Sequence, residues 1–255
     1  MNGSMWLKGP AASAAVLICF TSSQCAAAQT LSVNFRGVMP LGNTATDQNG
    51  QNFTVTGLSG LTWAGDTLFV AVMDNSDKLV FLNIELASNG AISQASIGGG
   101  LTLADSHDFE GIAYTTAQRD SVFLSEEGTP AVHEYALSDG AWLQTLVTPP
   151  VFFNRRANLG FESLSRHPVG TEMWTANEEA LTVDGAVSTP QSGTTVRLLR
   201  YILSDEIGTP AEQFAHITAP MHGGNINGGR SGLVDLAVLP NGKILALERS
   251  FAFSV

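Results

Sequence analysis

Short apolar runs alternate with clusters of Gly, Pro, Asn and Asp along most of the chain, and no helical period is sustained past the N-terminal segment. Four segments share one order of residue types: apolar, polar or small, small or acidic, apolar, small. They start at Leu58, Phe109, Phe161 and Leu233. A turn follows each, and then a second apolar run, at 67–72, 121–125, 172–176 and 243–247. Three of these second runs end in acid, at Glu126-Glu127, Glu178-Glu179 and Glu248, and the first is followed by Asp74. A third run recurs at 79–86, 131–137 and 197–203, the last two leading into Ser-Asp. Short runs of this kind, bounded by turn residues, predict strands throughout.

The starts at 58, 109, 161 and 233 lie 51, 52 and 72 residues apart, and a polar insertion at about 181–195 accounts for the longest interval. Strand-rich repeats of this length are the mark of β-propeller blades, each one supersecondary unit that must stack on its neighbours to bury its faces. The sequence therefore predicts an all-β propeller of four-stranded blades, favoured over a β-sandwich. Four blades are expected, with a partial fifth from a strand at 31–39. The last repeat stops after its second run, so the ring is expected to be incomplete at its C-terminal side, with an open sheet edge.

Residues 1–28 read as an export signal. Lys8 precedes an apolar run at 11–20 that is too short to span a bilayer, and Ala26-Ala27-Ala28 offers small residues for cleavage before Gln29. The expected mature domain is 29–255, exported to the periplasm or the extracellular space. Cys19 and Cys25, the two cysteines, both fall in the signal, so the mature chain is expected to have no disulfide. No later stretch is long and apolar enough to span a membrane. With 12 basic against 23 acidic residues, the net charge is −11, which disfavours phosphate backbones; no nucleic-acid partner is expected. At 44% hydrophobic and 14% charged residues the chain is not of the disordered class.

The strings DSHDFEGIAY (105–114), NLGFESLS (158–165), WTANEEALTVDG (174–185) and ILALERSF (244–251) resemble the secreted phytase-like family, described as "esterase-like activity of phytase". The resemblance covers about 30–255. It implies a propeller rich in Asp and Glu, with phosphoesterase activity. The chain departs from the pattern in having Ser59 where later repeats have Glu110 and Glu162, and Ser163 where the second repeat has Gly111.

Glu110 and Glu162 hold matching places in successive repeats, and Glu126/Glu127 and Glu178/Glu179 lie sixteen residues beyond them. Matching places on successive blades surround one axis, so these acids are expected to converge at one end of a central channel. Such a ring needs positive charge or protons among its members. Ca²⁺, which takes 6–8 oxygen ligands in loose geometry, suits it. The expected metal ligands are Glu110, Glu126, Glu162, Glu178 and Asp108, with Glu127 and Glu179 more exposed. Glu110, Glu162 and His107 are the expected catalytic acids and bases. Arg155, Arg156 and Arg230, in loops, are the expected holders of substrate phosphate; Arg249 is read as an inter-blade ion pair. No G-x-S-x-G elbow and no zinc-type His spacing is present. The function expected is a calcium-dependent phosphoesterase acting on a phosphorylated or anionic small substrate. A non-catalytic binding or scaffold propeller and a lactonase-type propeller are the rival readings.

Overall fold

A computed structural model describes residues 34–222 and 229–251. They include sixteen strands and one short 3₁₀ helix, η1 (Pro150–Asn154), and residues 36–255 form one unit. β1 (Thr44–Thr46) and β2 (Asn52–Thr54) make a small hairpin. A sheet of four strands in chain order follows: β3 (Leu58–Gly65), β4 (Leu68–Met73), β5 (Ser76–Leu86) and β6 (Ile92–His107). The pattern repeats with β7 (Phe109–Tyr114), β8 (Ser121–Glu126), β9 (Ala131–Ala136) and β10 (Trp142–Thr145). It repeats again with β11 (Phe161–Arg166), β12 (Glu172–Asn177), β13 (Thr195–Ser204) and β14 (Ile207–Ile217). β15 (Arg230–Val238) and β16 (Ile244–Phe251) then form a two-stranded sheet. All pairings are antiparallel, as tight turns between consecutive strands require. Left-handed backbone closes the turns: Gly65-Asp66 (φ 126° and 44°), of the residue types that favour it, joins β3 to β4, and Asp205-Glu206 (φ 50° and 62°) joins β13 to β14.

The apolar faces are buried between sheets. β8 shows the principle: Val122 and Leu124 pack with Val70, Val72 and Leu79 of the sheet before, whereas Phe123 packs with Phe161, Leu164 and Met173 of the sheet after. Alternation along one strand thus fills two cores. A third core joins Trp174, Ala176 and Val196 to Leu233, Leu236 and Val238 of the two-stranded sheet. The first strands β3, β7, β11 and β15 pack side by side in succession, as innermost propeller strands do, and β15 does not pack on β3 in this way. The described residues are therefore three complete propeller blades and the first two strands of a fourth, in an open arc. β1 lies beside β6, the outer strand of the first blade. Of the strand expected at 31–39, residues 34–39 carry no strand and the rest lies outside the described residues, as does the expected signal at 1–28. No helix among the described residues is long and apolar enough to cross a membrane.

The innermost strands approach backbone to backbone. A Cβ at Gly111 of β7 would overlap the Ser163 carbonyl carbon and the Leu164 nitrogen of β11. Gly111→Ala should therefore force two blades apart, at roughly 1–3 kcal/mol. A urea midpoint that falls with unchanged slope would report it; an unaltered midpoint would show that the strands yield without cost.

Candidate functional site

The same irregularity marks all four innermost strands. Leu58 and Gly60 pair with the consecutive residues Met73 and Val72, which leaves Ser59 as an extra residue. Glu162 is extra between Phe161 and Ser163, and Val234 between Leu233 and Asp235. In β7 the two residues Glu110 and Gly111 stand against Ser125 alone, whose hydroxyl accepts the Gly111 N–H at 2.8 Å. A bulge re-aims side chains that a regular pleat would leave on a blade face. Ser59, Glu110 and Glu162 all line one cavity of about 330 Å³ at the end where these strands begin.

The second strand of each blade delivers the next group. Asp74 N–H donates to Gly57 O at 2.8 Å, Glu127 N–H to Asp108 O at 2.9 Å and Glu178 N–H to Gly160 O at 3.1 Å. Arg249 pairs with Gly232 at the matching place of the last hairpin. The repeat thus supplies three acids and, at its fourth occurrence, a guanidinium. Asp74, Glu127, Glu178 and Arg249 line the same cavity, with Arg230.

Carboxylate oxygens of Glu110, Glu127 and Glu162 lie within 4.8 Å of one another, and so do those of Asp74, Asp108 and Glu110. Glu110 belongs to both groups and accepts a hydrogen bond from the Ser59 hydroxyl. Arg249 Nη2 lies 2.9 Å from Glu178 Oε1 and 3.5 Å from Glu162 Oε1. Six carboxyls (Asp74, Asp108, Glu110, Glu127, Glu162, Glu178) face two guanidiniums (Arg230, Arg249). Burial pushes Glu110 up to about 7, with Asp74 and Asp108 adding to it against the pull of Ser59 and Arg249. Burial pushes Glu127 up to about 8, reinforced by Glu110, Asp108 and Glu178. Glu162 rises to about 9, from burial and then from Glu110, Glu178 and Glu127. Asp108 is raised as well, by burial and by Asp74, and its Oδ1 is buried without a hydrogen-bond partner. The cluster is short of positive charge by its own geometry.

Of the residues expected from the sequence, Glu110, Glu162, Glu178, Asp108 and Arg230 come together here. Glu126 does not line this cavity: it turns to His107 and His133, with Oε2 3.3 Å and 2.9 Å from their ring nitrogens. Its place is taken by Glu127, which is 2% exposed rather than the more exposed of the pair. His107 goes with Glu126 and does not line the cavity either. Arg155 and Arg156 are turned to structural use. Arg155 donates to the Gly128 and Arg156 carbonyls, and Arg156 to those of Ala180 and Gly185, which anchors the 181–195 insertion. Glu179, 1% exposed, accepts from the Ser188 hydroxyl of that insertion at 3.1 Å. Arg249 makes the inter-blade ion pairs expected of it, to Glu162 and Glu178, and lines the cavity as well. Sequence reasoning assigned Asp74 no role there and left Glu127 out of the expected ligands.

Residues 54–255 match the phytase-like family, described as esterase-like activity of phytase. The chain belongs to this family. No curated protein matches it in sequence. Among solved structures, the Dos1 propeller is similar at 13% identity and a TM-score of 0.41, over 80% of this chain. This phytase-like chain spans 46% of the length of that one. A protein from Lactobacillus plantarum is similar at 10% identity and a TM-score of 0.32, over 80% of this chain and 67% of that one. Hydrazine synthase of Kuenenia stuttgartiensis is similar at 9% identity and a TM-score of 0.23, over 75% and 66%. In this phytase-like chain, the quoted strings supply Asp108, Glu110, Glu162, Glu178 and Arg249 to the site, whereas their Glu179, Asp184 and Glu248 pair with Ser188, Arg197 and His216.

Proposed function

We propose that the chain is an exported, calcium-dependent hydrolase of phosphorylated or similarly anionic small molecules, working in the carboxylate cavity. The observation that carries this reading is the convergence of six carboxyls from three blades beside Arg230 and Arg249. The donor set fits calcium: every candidate ligand is oxygen, the buried Asp108 Oδ1 lacks a partner, and the acids are held above their ordinary range. Asp74, Asp108 and Glu110, whose oxygens lie within 4.8 Å of one another, would hold the ion, with Glu127 and Glu162 beside Glu110. When bound, it neutralises charge and polarises a phosphoryl oxygen.

The remaining work belongs to the chain. Arg230 and Arg249 are placed to orient an anion, since guanidinium matches phosphate in a bidentate fork. Ser59 orients the Glu110 carboxyl at the point where the two groups of acids meet, which suits it to take a proton from an attacking water. Glu162, raised by burial and by the neighbouring carboxyls, is the matching acid for a leaving oxygen. The solvent outside cells supplies calcium at the millimolar level that weak extracellular sites use.

The test is turnover of a chromogenic phosphomonoester by the purified chain, with Ca²⁺ and with chelator. Turnover should require Ca²⁺. Glu110→Gln should lower kcat by about 10²–10⁴, the usual contribution of a general base, and Arg230→Ala should raise KM. Folded protein with Ca²⁺ but no turnover, or turnover indifferent to both Glu110 and Glu162, would overturn the proposal.

A further inference from the structure

The residues that leave the carboxylate cavity make a site of different chemistry. His107 ends β6, Glu126 ends β8, and His133 lies in β9, so two blades contribute. Consecutive side chains point to opposite sides of an extended chain. Asp108 and Glu127 go to the carboxylate cavity, while their neighbours His107 and Glu126 go the other way. There His107, Glu126 and His133 bring one nitrogen, one oxygen and one nitrogen within 4.8 Å of one another.

The carboxylate and the second imidazole are held from behind. Glu126 Oε1 accepts the Thr129 N–H at 3.1 Å, which leaves Oε2 to face both imidazoles. His133 presents Nε2 to that oxygen, while its Nδ1 lies 2.8 Å from the Thr145 hydroxyl. Trp142 Nε1 donates to the same hydroxyl at 3.2 Å. The two imidazoles stack at 5.1 Å with 20° between planes, and Phe109 walls them at 5.2 Å and 6.2 Å. One ring nitrogen forward and the other on an outer partner is the way metal-bound histidine is oriented. Elsewhere an ordinary pair suffices: Glu248, at the matching place in β16, meets one imidazole, His216, at 2.7 Å. Glu126 Oε2 faces two.

We infer that His107, Glu126 and His133 form a second metal site, for a divalent transition ion of the zinc type. Two imidazoles and one carboxylate are the ligands such ions take in three-residue sites, with a fourth position left to water or a ligand. That open side is at His107, whose side chain is 32% exposed. Calcium prefers the all-oxygen cavity next door, so the chain sorts two kinds of cation by ligand type. The inference does not depend on the hydrolase reading, since it concerns binding and not turnover.

The experiment is a Co²⁺ titration of the full chain after treatment with chelator, read by visible d–d absorption, followed by addition of Zn²⁺. One equivalent of Co²⁺ should bind, Zn²⁺ should displace it, and excess Ca²⁺ should not. His133→Ala and His107→Gln should each weaken binding at least about tenfold, with thermal melting as the check on folding. Should His133→Ala unfold, the part-exposed His107→Gln decides. Failure to bind Co²⁺, equal affinity in the folded histidine variants, or loss of binding in Glu162→Gln but not in His107→Gln would each overturn the site.

Discussion

In chelator, the melting temperature of the chain should fall as the pH is raised from about 5 to about 9. In an unfolded chain a Glu carboxyl ionises near 4.3, whereas in the folded protein burial and mutual repulsion move Glu110 to about 7, Glu127 to about 8 and Glu162 to about 9. Below the unfolded value both states hold their protons and these groups give no pH dependence. Above it the unfolded chain releases protons that the folded chain keeps. The folded state then binds more protons, so stability declines with rising pH until the pH passes the folded values. One proton retained over about three pH units is worth about 4 kcal/mol, which is a drop of roughly 8–16 °C for a chain of this size. Groups shifted the other way, such as Glu134 held down by Arg119, Ser121 and Gln144 against its burial, lose their contribution only at acid pH and do not offset the slope. Saturating Ca²⁺ should flatten the profile, because a cation at the cluster does what the protons did. A melting temperature that climbs steadily to pH 9 in chelator would show that the carboxyls ionise without cost, and would remove the physical basis for a cation there.

The blades were legible because the innermost strands repeat an unusual string. Phe109-Glu110-Gly111-Ile112 and Phe161-Glu162-Ser163-Leu164 combine a buried aromatic, a bulge acid and a small residue where backbones touch, and each feature constrains composition. The outer strands β6, β10 and β14 impose no such constraint. β6 carries Gly98-Gly99-Gly100 in its middle, β10 has only four residues, and β14 contains Pro210. Glu110 and Glu162 could be paired from the sequence because both follow the aromatic directly. Counting sixteen residues on from Glu110 and Glu162 pairs Glu126 with Glu178, whereas the hydrogen-bond register pairs Glu127 with Glu178. The turn at 115–120 is one residue longer than the turn at 167–171, so the place of Glu178 falls to Glu127. Hydrogen-bond register, which a residue count does not carry, decides which acid faces the cavity and which faces the histidines. The same register places Arg249, and not Glu248, in line with Asp74, Glu127 and Glu178.

Replacing both central acids by their amides should separate structure from function in one protein. Glu110→Gln with Glu162→Gln keeps side-chain volume and leaves an oxygen for the Ser59 hydroxyl, but removes two of the carboxyls whose ionisation burial opposes. Arg249 loses the Glu162 contact at 3.5 Å and keeps Glu178 at 2.9 Å, so no cation is stranded. In chelator at pH 8 the double variant should therefore melt above the wild type. Removing even one pKa unit of strain is worth about 1.4 kcal/mol, or roughly 3–6 °C for a chain of this size. In Ca²⁺ the order should reverse. A ligand present at about 100 times its dissociation constant stabilises the wild type by about 2.7 kcal/mol, while the variant, with two central oxygens neutral, gains little. The two proteins should thus cross: the variant more stable without the ion, the wild type more stable with it. That crossing is what distinguishes carboxyls kept for a cation from carboxyls kept for packing, since structural acids would give a variant that melts lower in chelator and retains its calcium response. The cost that the fold bears at Glu110, Glu127 and Glu162 is then the same quantity that the ion returns on binding, and neither can be altered without the other.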